Sequence, residues 1–177
     1  NPAETNAVLD AYAIPTVPLH KAADPKSAAE AARKYLQGGQ PVAVKILSSD
    51  IPHKSDVDGV RLNLTTEADV EAAAATVIAN AKRIKPQARI DGVTVQPMIS
   101  KPKARELIAG LARDPTFGVV VLFGQGGIAV EAVDDKAIAL PPLDLGRADD
   151  LISRTRISRL LKAYRNVPEA RRDQIAQ

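Results

Sequence analysis

Lys45 and His53 are the residues whose surroundings first suggest chemistry. Both lie in "VAVKILSSDIPHKSDVDGVRLNL", Val42 to Leu64. Lys45 sits inside an apolar run of strand character, where an ammonium is costly to desolvate unless it meets a carboxylate or an anionic ligand. The structural alternative is a strand-edge lysine with a buried stem and its charge in water. His53 follows on a polar stretch with Ser48, Ser49, Asp50, Lys54, Ser55, Asp56 and Asp58. A neutral imidazole is available near pH 7, because its unperturbed pKa is about 6.5. Its nitrogen can attack an activated phosphoryl or acyl group and later release it. A mobile segment, hinged at Gly59, would let that group visit more than one place. Asp50, Asp56 and Asp58 could orient the ring. The plainer reading is an exposed loop histidine without a task, and His20, the only other histidine, is read that way.

Further along, "FGQGG" places Gly124, Gly126 and Gly127 between two strand candidates. Glycine lets backbone N–H groups come close to a phosphate, and it equally makes a hairpin turn. No Gly-Lys-Ser/Thr follows, so this is not a Walker loop. Glu106 and Glu131 each fall in an apolar run where a charge needs a reason. Together with Asp114, Asp134 and Asp135 they could face a crevice and hold Mg2+. Asp134 and Asp135 also read simply as turn residues. "VQPMI" ends a strand at a point where Gln96, Met98 and free backbone groups could hold a purine ring, with Met98 as an adaptable wall. An edge strand with a core methionine fits the same residues.

These residues need elements to position them. "TNAVLDAYAIP" predicts a short helix stopped before Pro15. "DPKSAAEAARKYLQGG" predicts a helix capped by Asp24, with Pro25 at its first position and Gly38-Gly39 at its end. "PVAVKIL" and "GVRLNL" read as strands. A second helix over "TTEADVEAAAATVIANAKRI" starts with Thr66 and Asp69 at capping-box spacing. "DGVTVQPMI" is a strand after a turn. "RELIAGLA", "FGVVVLFG", "IAVEAV" and "AIALPPL" then follow as strand candidates separated by turn chemistry, as in an antiparallel meander. "DDLISRTRISRLLKAY" reads as one amphipathic helix, and "PEARRDQIAQ" starts another. The expectation is an α+β fold of two lobes, a mixed α/β lobe over 1–90 and an antiparallel sheet lobe over 91–177. The crevice between lobes is the expected ligand site.

Composition narrows the partners. The aliphatic core implied by 45% hydrophobic and 3% aromatic residues offers few stacking platforms for bases. The net charge of +3 is mildly basic and not a polybasic footprint. The late arginines, Arg154, Arg156, Arg159, Arg165, Arg171 and Arg172, alternate with apolar residues as on solvated helix faces, not as a nucleic-acid stripe. The lack of cysteine excludes a disulfide framework and thiolate metal sites and fits a reducing compartment. No apolar run approaches the ~18 residues of a membrane span. The expectation is a cytoplasmic protein without a nucleic-acid or membrane partner. The only methionine is Met98, so the chain is expected to be processed or a piece of something longer.

In order along the chain, "GQPVAVKILSSDIPHKSDVDGVRLNL", "VTVQPMI" and "RELIAGLARDPTFGVVVLFGQGGIAVEAVDDKAIALPPL" resemble the ATP-grasp domain of NDP-forming acyl-CoA synthetases, the ADP-forming acetate–CoA ligase family. The opening "AVLDAYAIPTVP" resembles the start of that domain. The likeness implies an ATP-grasp fold, with ATP/ADP and Mg2+ as cofactors and a nucleotide cleft between its lobes. It implies a phosphate contact for Lys45, an adenine hinge at Gln96 and Met98, and a nucleotide-side glutamate at Glu106. It assigns Gly124, Gly126, Gly127 and Glu131 to a "GxGGxxVE" motif lining the cleft, and makes His53 a phosphohistidine. The implied reaction converts acyl-CoA, ADP and phosphate reversibly to acid, CoA and ATP, with CoA and acyl phosphate bound in separate CoA-binding domains or a separate subunit. Family members often carry Gly-Gly where this chain has Asp58-Gly59. They continue into strands with an Asn-Pro pair and an Asp-Ala-Arg-like segment, so a C-terminally truncated domain, inactive alone, is expected, with metal ligands unassigned. A regulatory, synthetase-like domain fused to a protein lysine acetyltransferase is the second function considered.

Overall fold

The computed structural model describes residues 2–127 and 133–177. It divides into two compact units, Asn1–Ser100 and Lys101–Gln177.

The first unit runs α1 (Pro2–Ala11), β1 (His20–Ala22), α2 (Pro25–Gln37), β2 (Val42–Leu47), a 3-10 turn (Lys54–Val57), β3 (Val60–Leu64), α3 (Glu67–Ile84) and β4 (Gly92–Pro97). Local chemistry sets the helix starts. The Asp24 carboxylate accepts the Ser27 N–H at 2.9 Å, and the Asp24 N–H donates back to Ser27 Oγ at 3.2 Å. Thr66 Oγ1 accepts the Asp69 N–H at 3.1 Å. Each such cap satisfies a helix N–H that has no partner within its own helix.

The strands form a four-stranded antiparallel sheet in the order β1-β4-β2-β3. Alternation sorts its faces. Val42, Val44 and Ile46 of β2 and Val93 and Val95 of β4 are fully buried. They pack with Ala28 and Ala32 of α2 and with Val70, Ala74, Val77 and Ala81 of α3. Burying each such valine or isoleucine contributes about 1.5–3 kcal/mol. The intervening residues Ala43, Lys45, Leu47, Thr94 and Gln96 face away from the helices. The compact units divide at Ser100 and not after Ile90, because β4 pairs with β1 on one side and β2 on the other.

The second unit holds a three-stranded antiparallel sheet, β5 (Leu107–Asp114), β6 (Gly118–Gln125) and β7 (Lys136–Ala139). The β5–β6 turn is closed by the Asp114 carboxylate, which accepts the N–H groups of Thr116 and Phe117 at 2.8 and 2.9 Å. Phe123 packs with Leu151, Ile152, Ile157 and Leu161. The strand candidate "IAVEAV" falls largely outside the described residues.

The amphipathic helix expected over 149–164 is broken. It becomes α4 (Leu145–Ser153) and a 3-10 turn (Ile157–Leu161), with a short α5 (Arg172–Ala176) near the end. The cause is Asp135. Its buried carboxylate accepts the N–H groups of Arg156 and Ile157 at 2.7 and 2.6 Å, so they are lost to a continuous helix.

Candidate functional site

A groove of about 1,030 Å³ opens in the first unit on the sheet face away from α2 and α3. Lys45 and Gln96 line it, with Lys21, Lys54, Arg89 and Thr94. Sheet register explains the grouping, since Lys45 pairs with Thr94, and Thr94 pairs with Lys21. Lys45 is half-buried. Burial, and then the charge of Lys54, push its pKa below the ordinary lysine value. Among the described residues no carboxylate lies within ion-pair distance of its ammonium. Arg89 is paired with Asp91 at 2.9 Å, and Asp91 is the carboxylate among the lining residues. The groove therefore carries uncompensated positive charge, which suits a polyanion such as a nucleotide phosphate chain.

His53 is exposed on the segment joining β2 to β3. Pro52 and Lys54 on either side line the groove, and the histidine itself does not. The segment is anchored around it. Ile51 and Val57 are buried in the core. Asp50 accepts the Arg89 N–H at 2.8 Å. Asp58 is held by Arg61 and Asn80 at 2.7–2.9 Å. Two of the carboxylates expected to orient the ring, Asp50 and Asp58, thus bond elsewhere.

Beside Gly59 the residue in the left-handed region is Asp58 (φ 49°). Gly59 is there for space. A Cβ on it would lie 2.6 Å from Ile46 Cγ2 and 2.9 Å from the Lys54 carbonyl oxygen.

At the end of β4, Gln96 lines the groove. The Met98 N–H donates to the Pro41 carbonyl at 2.8 Å, and its own carbonyl accepts from Gln40 Nε2 at 3.3 Å. The backbone groups expected to be free at Met98 are therefore taken, which leaves its side chain.

In the second unit Glu106, Gly126 and Gly127 come together, and Gly124 serves a separate contact. The Gly126 N–H donates to the Glu106 carbonyl at 2.8 Å. Gly127 (φ 92°) lies so close that a Cβ there would be 2.4 Å from Glu106 Oε2. Gly124 permits a close approach to β7, since a Cβ on it would be 2.2 Å from the Asp135 carbonyl oxygen. Glu106 is exposed and precedes β5, outside the apolar strand expected for it. Glu131 lies outside the described residues. Asp134 turns the chain at φ 45° and pairs with Lys136 at 2.6 Å.

Sequence reasoning missed Arg61 and Asn80, whose roles depend on where β3 and α3 pack. His20 was read as idle, yet its Nε2 lies 2.8 Å from the Tyr35 hydroxyl, and burial and Lys34 lower its pKa. Among the described residues no group of three or more His, Cys, Asp and Glu side chains could hold a metal ion. None of the described helices is long and apolar enough to cross a membrane.

A family model described as an ATP-grasp domain matches residues 1–177, and the chain belongs to that family. It is 38% identical, over 98% of its length, to the ADP-forming acetate–CoA ligase I of Archaeoglobus fulgidus, of which it spans 24%. It is 36% identical, over 98% of its length, to the beta subunit of the ADP-forming acetate–CoA ligase II of Pyrococcus furiosus, of which it spans 69%. Among solved structures it resembles the dinucleotide-forming acetyl-coenzyme A synthetase 1 of Ca. Korarchaeum cryptofilum in complex with coenzyme A, Ca-AMPCP and HgCl+. That match has 35% identity and a TM-score of 0.86, covering 98% of this chain and 74% of that one. A second structure of the same synthetase, with coenzyme A and Mg-AMPPCP and its phosphohistidine segment pointing towards the nucleotide binding site, has 31% identity and a TM-score of 0.74. It covers 98% of this chain and 72% of that one.

Proposed function

We propose that this chain is the nucleotide-binding module of an ADP-forming acyl-CoA synthetase, with His53 as its phosphoryl carrier. The observation that carries the reading is Lys45, a half-buried ammonium on the wall of a cationic groove with no described carboxylate in reach. A nucleotide phosphate supplies the missing anion, and Lys54 adds a second positive charge. Gln96 and the Met98 side chain are assigned to the base. Within the second unit, Glu106, Gly126 and Gly127 are assigned to nucleotide contact, and Glu131 has the same assignment, whereas Gly124 is buried against β7 and shapes the strand that leads to them. Mg2+ enters with the nucleotide. The described residues offer it no ready cluster, and no step is assigned to it.

In the transfer, an unprotonated His53 nitrogen attacks the terminal phosphoryl group of ATP. The N–P bond forms as the P–O bond to the leaving ADP breaks. In the opposite direction the electron pair returns to the imidazole as an ADP oxygen takes the phosphoryl group. Lys45 balances charge on the phosphate oxygens in both directions. The acyl phosphate and CoA are assigned to CoA-binding domains or a partner subunit, in keeping with the subunit composition named for the Pyrococcus relative. Such a reaction draws on nucleotide and CoA pools, which supports a cytoplasmic location. The relatives are ligases, which favours turnover over a regulatory role beside a lysine acetyltransferase.

The test is the intact mass of the parent protein after incubation with Mg2+ and ATP, beside its His53→Asn variant. The expected result is one acid-labile phosphoryl group, absent in the variant. A label that survives in His53→Asn refutes the assignment of the carrier.

A further inference from the structure

We propose that Asp58, Arg61 and Asn80 form a latch that holds the His53 segment in a resting position, with the imidazole outside the groove. The proposal rests on the reading of His53 as a phosphoryl carrier. Its structural half stands on the geometry of the segment.

Asp58 caps the 3-10 turn Lys54–Val57 in a left-handed conformation (φ 49°, ψ 39°) that side chains other than glycine rarely adopt. Its carboxylate holds it there. Arg61 of β3 donates from Nη1 to Oδ1 at 2.8 Å and from Nη2 to Oδ2 at 2.7 Å. Asn80 of α3 donates to Oδ2 at 2.9 Å. The same Arg61 Nη1 reaches the Asp58 carbonyl at 3.1 Å and the Val60 carbonyl at 2.8 Å. One carboxylate thus ties the turn to a strand and to a helix.

The turn transmits this anchor to His53. The Gly59 N–H donates to the Lys54 carbonyl at 2.9 Å, the Asp58 N–H to the Ser55 carbonyl at 3.1 Å, and the Asp56 N–H to the His53 carbonyl at 3.2 Å. In this position Pro52 and Lys54 line the groove, whereas His53 does not, and its imidazole has no hydrogen-bond partner among the described residues. For the ring to enter the groove, the turn has to rotate or open. The latch opposes that motion.

It is also built to yield. The Asp58 side chain is 62% exposed and that of Arg61 30% exposed, so water and salt screen their attraction. A buried pair would fix the segment, whereas a screened one lets it open and reclose.

The test uses the parent protein and three variants. Arg61→Met keeps an apolar stem and removes the guanidinium. Asn80→Ala removes the helix contact. Asp58→Asn keeps a residue that tolerates the left-handed backbone and part of the bonding, and serves as the conservative variant. Hydrogen exchange of the Asp56, Asp58 and Gly59 amides reports the latch. Arg61→Met should speed it about fivefold to thirtyfold, the sum of an exposed ion pair and the lost hydrogen bonds. Asn80→Ala and Asp58→Asn should fall between it and the wild type. Amides of Val44 and Val95 in the sheet should stay protected in all. High salt should speed exchange in the wild type and leave Arg61→Met nearly unchanged.

Single-turnover labelling of His53 from radiolabelled ATP reports the gating. Arg61→Met should label several-fold faster at saturating ATP while the ATP dissociation constant stays the same. Unchanged exchange of the segment amides overturns the latch. Faster exchange with an unchanged labelling rate overturns the gating. Absence of label in the wild type overturns the carrier reading and with it the gating, and the exchange data alone then decide the latch.

Discussion

Lys45→Met exchanges a half-buried ammonium for an apolar side chain of similar length, and its two effects should have opposite signs. In the nucleotide-free protein Lys45 is the sheet neighbour of Thr94, the charge of Lys54 repels its ammonium, and no described carboxylate is in ion-pair reach. Methionine removes the desolvation cost and the repulsion. Because the side chain is half in water, screening keeps the gain to at most about 1 kcal/mol. With nucleotide bound, the same substitution deletes a charge-assisted hydrogen bond to a phosphate, worth about 1.5–3 kcal/mol. That weakens binding roughly tenfold to 150-fold. Calorimetric titration of the parent protein with Mg-ADP measures the second effect, and a denaturant melt without nucleotide measures the first. Unchanged ADP affinity refutes Lys45 as a phosphate contact. A marked loss of stability without ligand refutes the claim that the ammonium is unpaired.

Gly124→Ala should lower the denaturant midpoint of the second unit by the equivalent of about 1–3 kcal/mol, because the new Cβ meets the Asp135 carbonyl oxygen, which is backbone and cannot step aside. Gly110→Ala, with nothing within 4 Å of its Cβ, should be nearly neutral, and equal effects would show that the close approach of β6 and β7 is not the cause. His20 makes a prediction in pH. Its folded pKa lies below 6.5, so the unfolded chain takes up the proton more readily than the folded one. Stability from this group is fullest above pH 6.5 and declines as pH falls below it. Thermal midpoints of the wild type should drop across that window more steeply than those of His20→Gln, and parallel profiles would remove His20 as the cause.

What the sequence made legible was mostly local. Asp24, Pro25 and Gly38 bracket α2 as their chemistry requires, since a cap and its N–H partners lie within a few residues of each other. Lys45 announced itself as a charge in an apolar strand, because alternation along a strand is a local pattern. What escaped came from contacts distant in the chain. The insertion of β4 between β1 and β2 depends on pairing that no single stretch encodes. The break after Ser153 is caused by Asp135, which sequence reading left as a turn residue. The carboxylates around His53 invited the idea of a ring-orienting cluster, yet Asp58 finds its partners on β3 and α3. Glu106 looked like a strand residue and instead stands beside Gly126 and Gly127, far along the chain.

The helices behind the groove sheet meet the core through Ala28 and Ala32 on one side and Val70, Ala73, Ala74, Val77 and Ala81 on the other. Alanine has no rotamers to lose and valine is stiff at χ1, so this layer sets in place with little side-chain entropy cost. Such side chains also have few rotamers to switch between, and the strand carrying Lys45 rests on a floor with little room to reshuffle. If Lys45 holds a nucleotide phosphate as proposed, an ammonium on such a floor meets its anion with little reorganisation of the protein, and little binding energy is spent on stiffening the site.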